Sequence, residues 1–126
     1  MENLHLSPTK TTPLINFNAS TGILELTGRS IHENPVVFYE PILQWLHDYT
    51  KSPAAHTTLI VKLEYFNTTS SKCLLDVFKK VKEITLNTGN SITIKWKYSH
   101  GDEDIKEAGE DYETIIGIPF EFIEEE

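Results

Sequence analysis

Four hydroxyl-bearing residues stand in succession, Thr68-Thr69-Ser70-Ser71, between an apolar run that ends at Phe66 and a helically periodic stretch that follows Lys72. Two kinds of chemistry suit such a cluster. One hydroxyl can cap a helix, and a capping Ser or Thr contributes ~1 kcal/mol. One cap needs only one of them. A helix N-terminus also presents unpaired N–H groups and a partial positive charge, which favour an anion. A phosphate on Thr68 or a neighbour adds about −1.5 to −2 charge at that point. The helix amides and Lys72 would accommodate that charge within the domain, whereas a partner packed on the same rim would meet a strongly hydrated anion. Such a cluster has the properties of a switch that alters binding without unfolding the chain. On residue types alone, capping and switching both stay open.

Elsewhere the chemistry thins out. His5, His32, His47, His56 and His100 show no ligand spacing with one another or with Cys73. The acidic run after His100-Gly101 lacks the order of acids, glycine and terminal glutamate that a calcium loop requires. No Gly-rich phosphate loop and no Ser/His/Asp or Cys/His pattern is visible, so no acid/base pair can be named and no enzyme is expected. Cys73 lies early in a helix among apolar neighbours and reads as a core residue, not a nucleophile. No metal or cofactor is implied.

With 11 basic and 19 acidic residues the net charge is −8. That balance repels phosphate backbones and anionic lipid. The nearest basic cluster, Lys79, Lys80 and Lys82, falls on a helical pattern and reads as a solvated face. No nucleic-acid partner is expected; protein partners suit the chain better. No apolar run approaches the ~20 residues of a membrane span, and the first residues resemble no secretory signal. A lone cysteine excludes an internal disulfide framework. The expected address is the cytoplasm, without membrane insertion.

The elements that position the hydroxyl cluster follow from periodicity. The 126 residues suit one domain able to bury roughly two-thirds of its unfolded surface. Residues 1–12 read as a loosely tied arm and residues 124–126 as a solvated tail. Leu14 to Phe17 and Ile23 to Leu26 flank a polar stretch ending in Gly22, which predicts a hairpin. Asn34 and Pro35 suit a helix start. Pro41 would cost ~3 kcal/mol in a helix interior, so the main helix is expected from near Pro41 to about Tyr49. Thr57 to Phe66 carries Leu59, Ile60, Val61 and Leu63, which predicts a central strand covered on both faces. Leu74, Leu75, Val77, Phe78, Val81 and Ile84 mark a helix that stops at Asn87-Thr88-Gly89. Ser91 to Tyr98 alternates as a strand near an edge. Residues 101–116 hold one helical face, and residues 117–123 a last short strand or docked extension. A hairpin followed by alternating helices and strands predicts a single α/β domain, residues 1–126, with a mixed sheet and about three packed helices.

Two segments resemble a known family. Tyr65-Phe66-Asn67-Thr68-Thr69-Ser70-Ser71-Lys72 is similar to the signature Y-[LF]-N-T-[ST]-S-x-K of the SiaC family of bacterial regulatory phosphoproteins. Gly28-Arg29-Ser30-Ile31-His32-Glu33-Asn34 resembles that family's G-x-S-x-x-E-N segment. Trp45, the Trp96 and Tyr98 pair, and Pro119-Phe120 fall in matching places. The resemblance implies a fold like the STAS domain of anti-sigma-factor antagonists, and partner switching in place of catalysis. It further implies that a Ser/Thr kinase phosphorylates Thr68 and a PP2C-type phosphatase reverses this. The unphosphorylated form would activate a diguanylate cyclase, promoting cyclic di-GMP signalling and biofilm growth or aggregation. Thr69 and Ser70 are the alternative phosphoacceptors. Glu33, Asn34, Asn67, Thr69, Ser70 and Lys72 are the candidate partner-binding residues. The alternative function is a STAS-like module that receives a small phosphorylated ligand or nucleotide at the Thr68–Ser71 turn.

Overall fold

The computed structural model describes all 126 residues. The chain opens with three antiparallel strands, β1 (Leu4–Leu6), β2 (Leu14–Asn18) and β3 (Ile23–Ser30). Alternating helices and strands follow: α1 (Pro35–Tyr49), β4 (His56–Phe66), α2 (Thr68–Thr88), β5 (Ser91–Ser99), α3 (Glu103–Ile116) and β6 (Glu121–Glu125). Strands β3 to β6 pair in parallel, and the six-stranded sheet runs in sequence order from β1 to β6. This is the mixed sheet with three helices that the periodicity predicts.

The monotonic order decides where the helices lie. Parallel crossovers are almost always right-handed, and a strand order that never reverses puts every crossover helix on one face. Burial agrees. Leu59, Val61 and Leu63 of β4 are buried beneath the helices, while Thr58, Ile60 and Lys62 between them are only partly covered. The strand is central, as expected, but the sheet is covered on one face only. Its other face carries Glu25, Lys62, Lys95 and Lys97 among Thr and Ile residues, which explains why β5 alternates so cleanly.

Three further expectations are corrected. First, α1 is continuous through Pro41, with Pro35 in its first turn. Pro41 removes the bond to the Val37 carbonyl, but both residues lie on the exposed side, where water reaches that oxygen. Opposite them Tyr39, Ile42, Leu46 and Tyr49 are fully buried, and this apolar stripe offsets the ~3 kcal/mol cost of the proline. Second, the first residues are tied down: Leu4 and Leu6 pair with Phe17 and Ile15 and pack against the core. The Trp45 indole N–H donates to the Glu2 carbonyl at 2.8 Å. Third, Glu124 and Glu125 belong to β6. The Glu125 carboxylate meets the Lys62 ammonium at 2.6 Å and that of Lys97 at 3.7 Å on the open face.

The hydrogen bond from Lys62, aided by Lys97, holds the Glu125 carboxyl below its ordinary pKa of 4.5. A carboxylate depressed in the folded state stabilises above its unfolded pKa, and that contribution fades as pH falls through the folded value. Protection of the β6 amides against hydrogen exchange should therefore drop below about pH 4.5 before that of β4 does. Equal protection of both strands down to acid unfolding would contradict the tether.

Candidate functional site

Strand β4 ends at Phe66 and α2 begins two residues later, with Asn67 as the cap between them. Asn67 has extended backbone, φ −87° and ψ 172°, and its Oδ1 accepts from the Ser70 N–H at 2.8 Å. The cap is thus Asn67, and none of the four hydroxyls fills that role. Thr68 opens the first turn of α2, and both Thr68 and Thr69 are exposed.

Ser70 differs. It is fully buried, and the Ser30 hydroxyl of β3 donates to its Oγ at 2.9 Å. Because Ser30 has one proton, the Tyr39 hydroxyl of α1 is the donor in the 2.8 Å bond between Tyr39 and Ser30. A directed chain of hydroxyls, Tyr39 to Ser30 to Ser70, therefore runs beneath the first turn of α2. Burial pushes the Tyr39 phenol well above its ordinary pKa, so it stays protonated and able to donate. Ser70 would have to leave this chain, and the first turn would have to unwind, before a kinase reached it. It is removed as a candidate phosphoacceptor.

Two more bonds fix the turn. The Asn67 N–H donates to the Ser30 carbonyl at 3.1 Å, and the Tyr112 hydroxyl of α3 donates to the Ser71 carbonyl at 2.9 Å. Strand β3 and helices α1 and α3 thus hold the first turn of α2 in place. Tyr39→Phe leaves the Ser30 oxygen without its donor and should cost about 1–2 kcal/mol. Urea unfolding would read this as a lower midpoint at unchanged slope; no change would mean that the hydroxyl chain contributes nothing.

The parallel pairing of β3 with β4 brings the second segment to the same rim. Ser30 lies opposite Phe66, and the Asn67 side-chain amide reaches the His32 carbonyl at 3.5 Å. Glu33, Asn34 and Lys72 are all exposed beside it. Asn34 caps no amide with its side chain; instead its own N–H donates to His32 Nδ1 at 2.8 Å. The rim also exposes Val36, Val37 and Tyr65, each about 60% accessible. These apolar side chains beside two exposed hydroxyls make a surface suited to a protein partner.

A family model, SiaC family regulatory phosphoprotein, matches residues 6–125. This chain belongs to the SiaC family. Three similar proteins or structures come from Pseudomonas aeruginosa. An uncharacterized protein of strain UCBPP-PA14 is 26% identical over 120 residues, which is 95% of this chain and 94% of that protein. The structure of apo-SiaC matches with a TM-score of 0.82 and 22% identity over 100% of both chains. A structure of the diguanylate cyclase SiaD in complex with its activator SiaC matches with a TM-score of 0.88 and 24% identity, over 97% of this chain and 99% of that one. These likenesses give the SiaC fold.

Within this SiaC-family fold, sequence reasoning missed Ser30, Tyr39 and Tyr112, which hold the first turn of α2. Ser30 stood in plain view inside the G-x-S-x-x-E-N segment, and its buried hydroxyl now accounts for a serine there. Nothing local marks the two tyrosines: Tyr112 fits an apolar helical face, and Tyr39 lies before the helix expected from Pro41. Cys73 is buried as expected. Burial, and then Asp76, raise its thiol pKa, so it remains protonated and unreactive. No helix is long and apolar enough to cross a membrane.

Proposed function

We propose that this chain is a phosphorylation-controlled adaptor whose switch residue is Thr68. A Ser/Thr kinase adds the phosphate and a PP2C-type phosphatase removes it. The unphosphorylated form binds and activates a diguanylate cyclase, linking the chain to cyclic di-GMP signalling and to biofilm growth or aggregation. It acts by binding and carries out no catalysis of its own.

The observation that carries this reading is the contrast between neighbours in one turn. Ser70 is locked beneath it, while Thr68 is exposed on a frame fixed by β3, α1 and α3. A phosphate of about −1.5 to −2 charge on Thr68 sits at the positive end of α2 and leaves the frame intact. The partner bears the whole cost. Exposed Thr69 shares part of this geometry; the position directly after Asn67 in the family signature selects Thr68.

The ligand-binding alternative has less support. A phosphate cradle needs free amides, yet the Ser70 N–H is taken by Asn67 Oδ1 and the Ser71 N–H by the Asn67 carbonyl. That leaves the amides of Thr68 and Thr69 alone. The test is to recover the chain from its own cells and map the phosphate by mass spectrometry. A single phosphate on Thr68 is expected; one on Thr69 or on Ser71 would move the switch, and none under any growth condition would refute it.

A further inference from the structure

The helices cover one face of the sheet, and the opposite face is electrically neutral in a strongly acidic chain. Its strands carry Arg29, Lys62, Lys95 and Lys97 against Glu25, Glu64, Glu121 and Glu125, four charges of each sign. Of 11 basic and 19 acidic residues in all, the rest of the chain keeps 7 and 15, and so the whole net charge of −8. Two copies of the chain repel each other least when these faces meet.

Most charges on this face are paired within one copy. Arg29 meets Glu64 at 3.1 Å, and Lys62 and Lys97 share Glu125 at 2.6 and 3.7 Å. Glu25, Lys95 and Glu121 belong to no ion pair. Strand register explains the first two. Glu25 on β3 lies opposite Ile60 on β4, and Ile60 lies opposite Lys95 on β5. The two charges stand two strand spacings apart, roughly 10 Å, with a partly buried isoleucine midway between them. Glu121 lies beyond Lys95 on the exposed edge strand β6.

We propose that this open face binds the same face of a second copy, about a two-fold axis that runs along β4 between the two sheets. Such an axis carries β3 of each copy over β5 of the other. Glu25 of each copy then meets Lys95 of the other, and Ile60 meets Ile60 on the axis. One row away Ile23, 44% exposed in the single chain, lies over Thr93, and Thr58 over Thr58. In the other direction Lys62 faces Lys62, each already neutralised by Glu125 of its own chain. Facing sheets pack ~10 Å apart, a gap that a glutamate and a lysine span end to end. They cross at about 30°, which displaces residues little so near the axis.

Size sets the strength. Five strand spacings by about six residues give roughly 24 by 20 Å, or about 500 Å² per copy before side-chain relief. Stable interfaces bury about 800 Å² per partner. The dimer is therefore weak and forms only as concentration rises. The helices, α2 with Thr68 among them, lie on the far side of each sheet, so pairing leaves them uncovered. This inference goes beyond the adaptor reading, and neither depends on the other.

Sedimentation equilibrium of the full chain from about 10 μM to about 1 mM is the test. The average mass is expected to rise from 14.4 kDa toward twice that value. Glu25→Lys and Lys95→Glu each set like charges face to face, and each alone should weaken self-association about tenfold or more. Mixed in equal amounts, the two variants should pair again. The double variant with both substitutions keeps the net charge and should pair like wild type. A wild type that stays at 14.4 kDa throughout, single variants that pair like wild type, or a mixture that stays monomeric would each overturn the proposal. A second measurement needs no variant. Amide NMR shifts of wild type should move with concentration on β3, β4 and β5, and shifts confined to the helices would equally overturn it.

Discussion

Thr68→Glu is expected to weaken cyclase binding about 100-fold, a change of about 2.7 kcal/mol. Thr68→Ala should stay within about tenfold of wild type, because a lost neutral hydrogen bond is worth ~1 kcal/mol. The asymmetry follows from the frame beneath the turn. The first turn of α2 is held by Asn67, Ser30 and Tyr112, so a new charge on Thr68 cannot be absorbed by local rearrangement. It must be met by whatever lies against the rim. Glutamate carries one charge and lacks the oxygens of a phosphate, so genuine phosphorylation should act more strongly. A complete switch from mostly bound to mostly free needs about 5.5 kcal/mol of differential affinity. Equal affinity for wild type, Thr68→Ala and Thr68→Glu, measured by calorimetry, would show that charge at this position is not read by the partner.

The second large effect concerns stability. Gly109 of α3 lies against the Trp96 ring, and a Cβ built there falls 2.6 Å from two ring atoms. Trp96 cannot step aside. It is 1% exposed, its indole N–H donates to the Ile105 carbonyl at 2.9 Å, and Phe66, Phe78 and Tyr112 crowd around it. Alanine would favour the helix by ~1 kcal/mol over glycine, but overpacking a fixed core costs up to about 3 kcal/mol. Gly109→Ala should therefore destabilise by about 2 kcal/mol, lowering the thermal midpoint by roughly 6–10 °C. A variant as stable as wild type would show that α3 shifts freely on the sheet. Because Tyr112 of α3 also holds the Ser71 carbonyl, such freedom would weaken the case for a rigid switch frame.

How much of this was legible in the sequence depended on the range of the interaction. Local chemistry read well. The helix ending at Gly89 is capped by that residue in the left-handed conformation, φ 77°. The alternating β5 and the run ending at Phe66 are both strands in place. The helix over residues 103–116 forms against its apolar stripe. What failed depended on distant partners. Pro41 suggests a helix start because its cost is local, whereas the apolar stripe of α1 that offsets it acts through the sheet. Leu4 and Leu6 alternate like a strand, but three residues form one only because β2 offers an unpaired edge. One-sided covering of the sheet follows from strand order, which no single segment carries.

The site divides in the same way. Asn67, Thr68, Thr69 and Lys72 were visible because they are adjacent in the chain, and Glu33 and Asn34 through their segment. The roles of Ser30 and Tyr39 emerge only when β3 and α1 meet α2. Gly109 illustrates the limit: its neighbour Ala108 fits the helical pattern equally well, and only the indole of Trp96 explains a residue without a side chain.

The central claim is that one residue's phosphate controls an output enzyme. The most direct measurement is the conversion of GTP to cyclic di-GMP by the purified cyclase of the same genome. The assay is run with unmodified chain added, and again with chain phosphorylated enzymatically on Thr68. The account predicts activation by the unmodified chain, none by the phosphorylated one, and recovery after phosphatase treatment. Equal activation by both forms would contradict it.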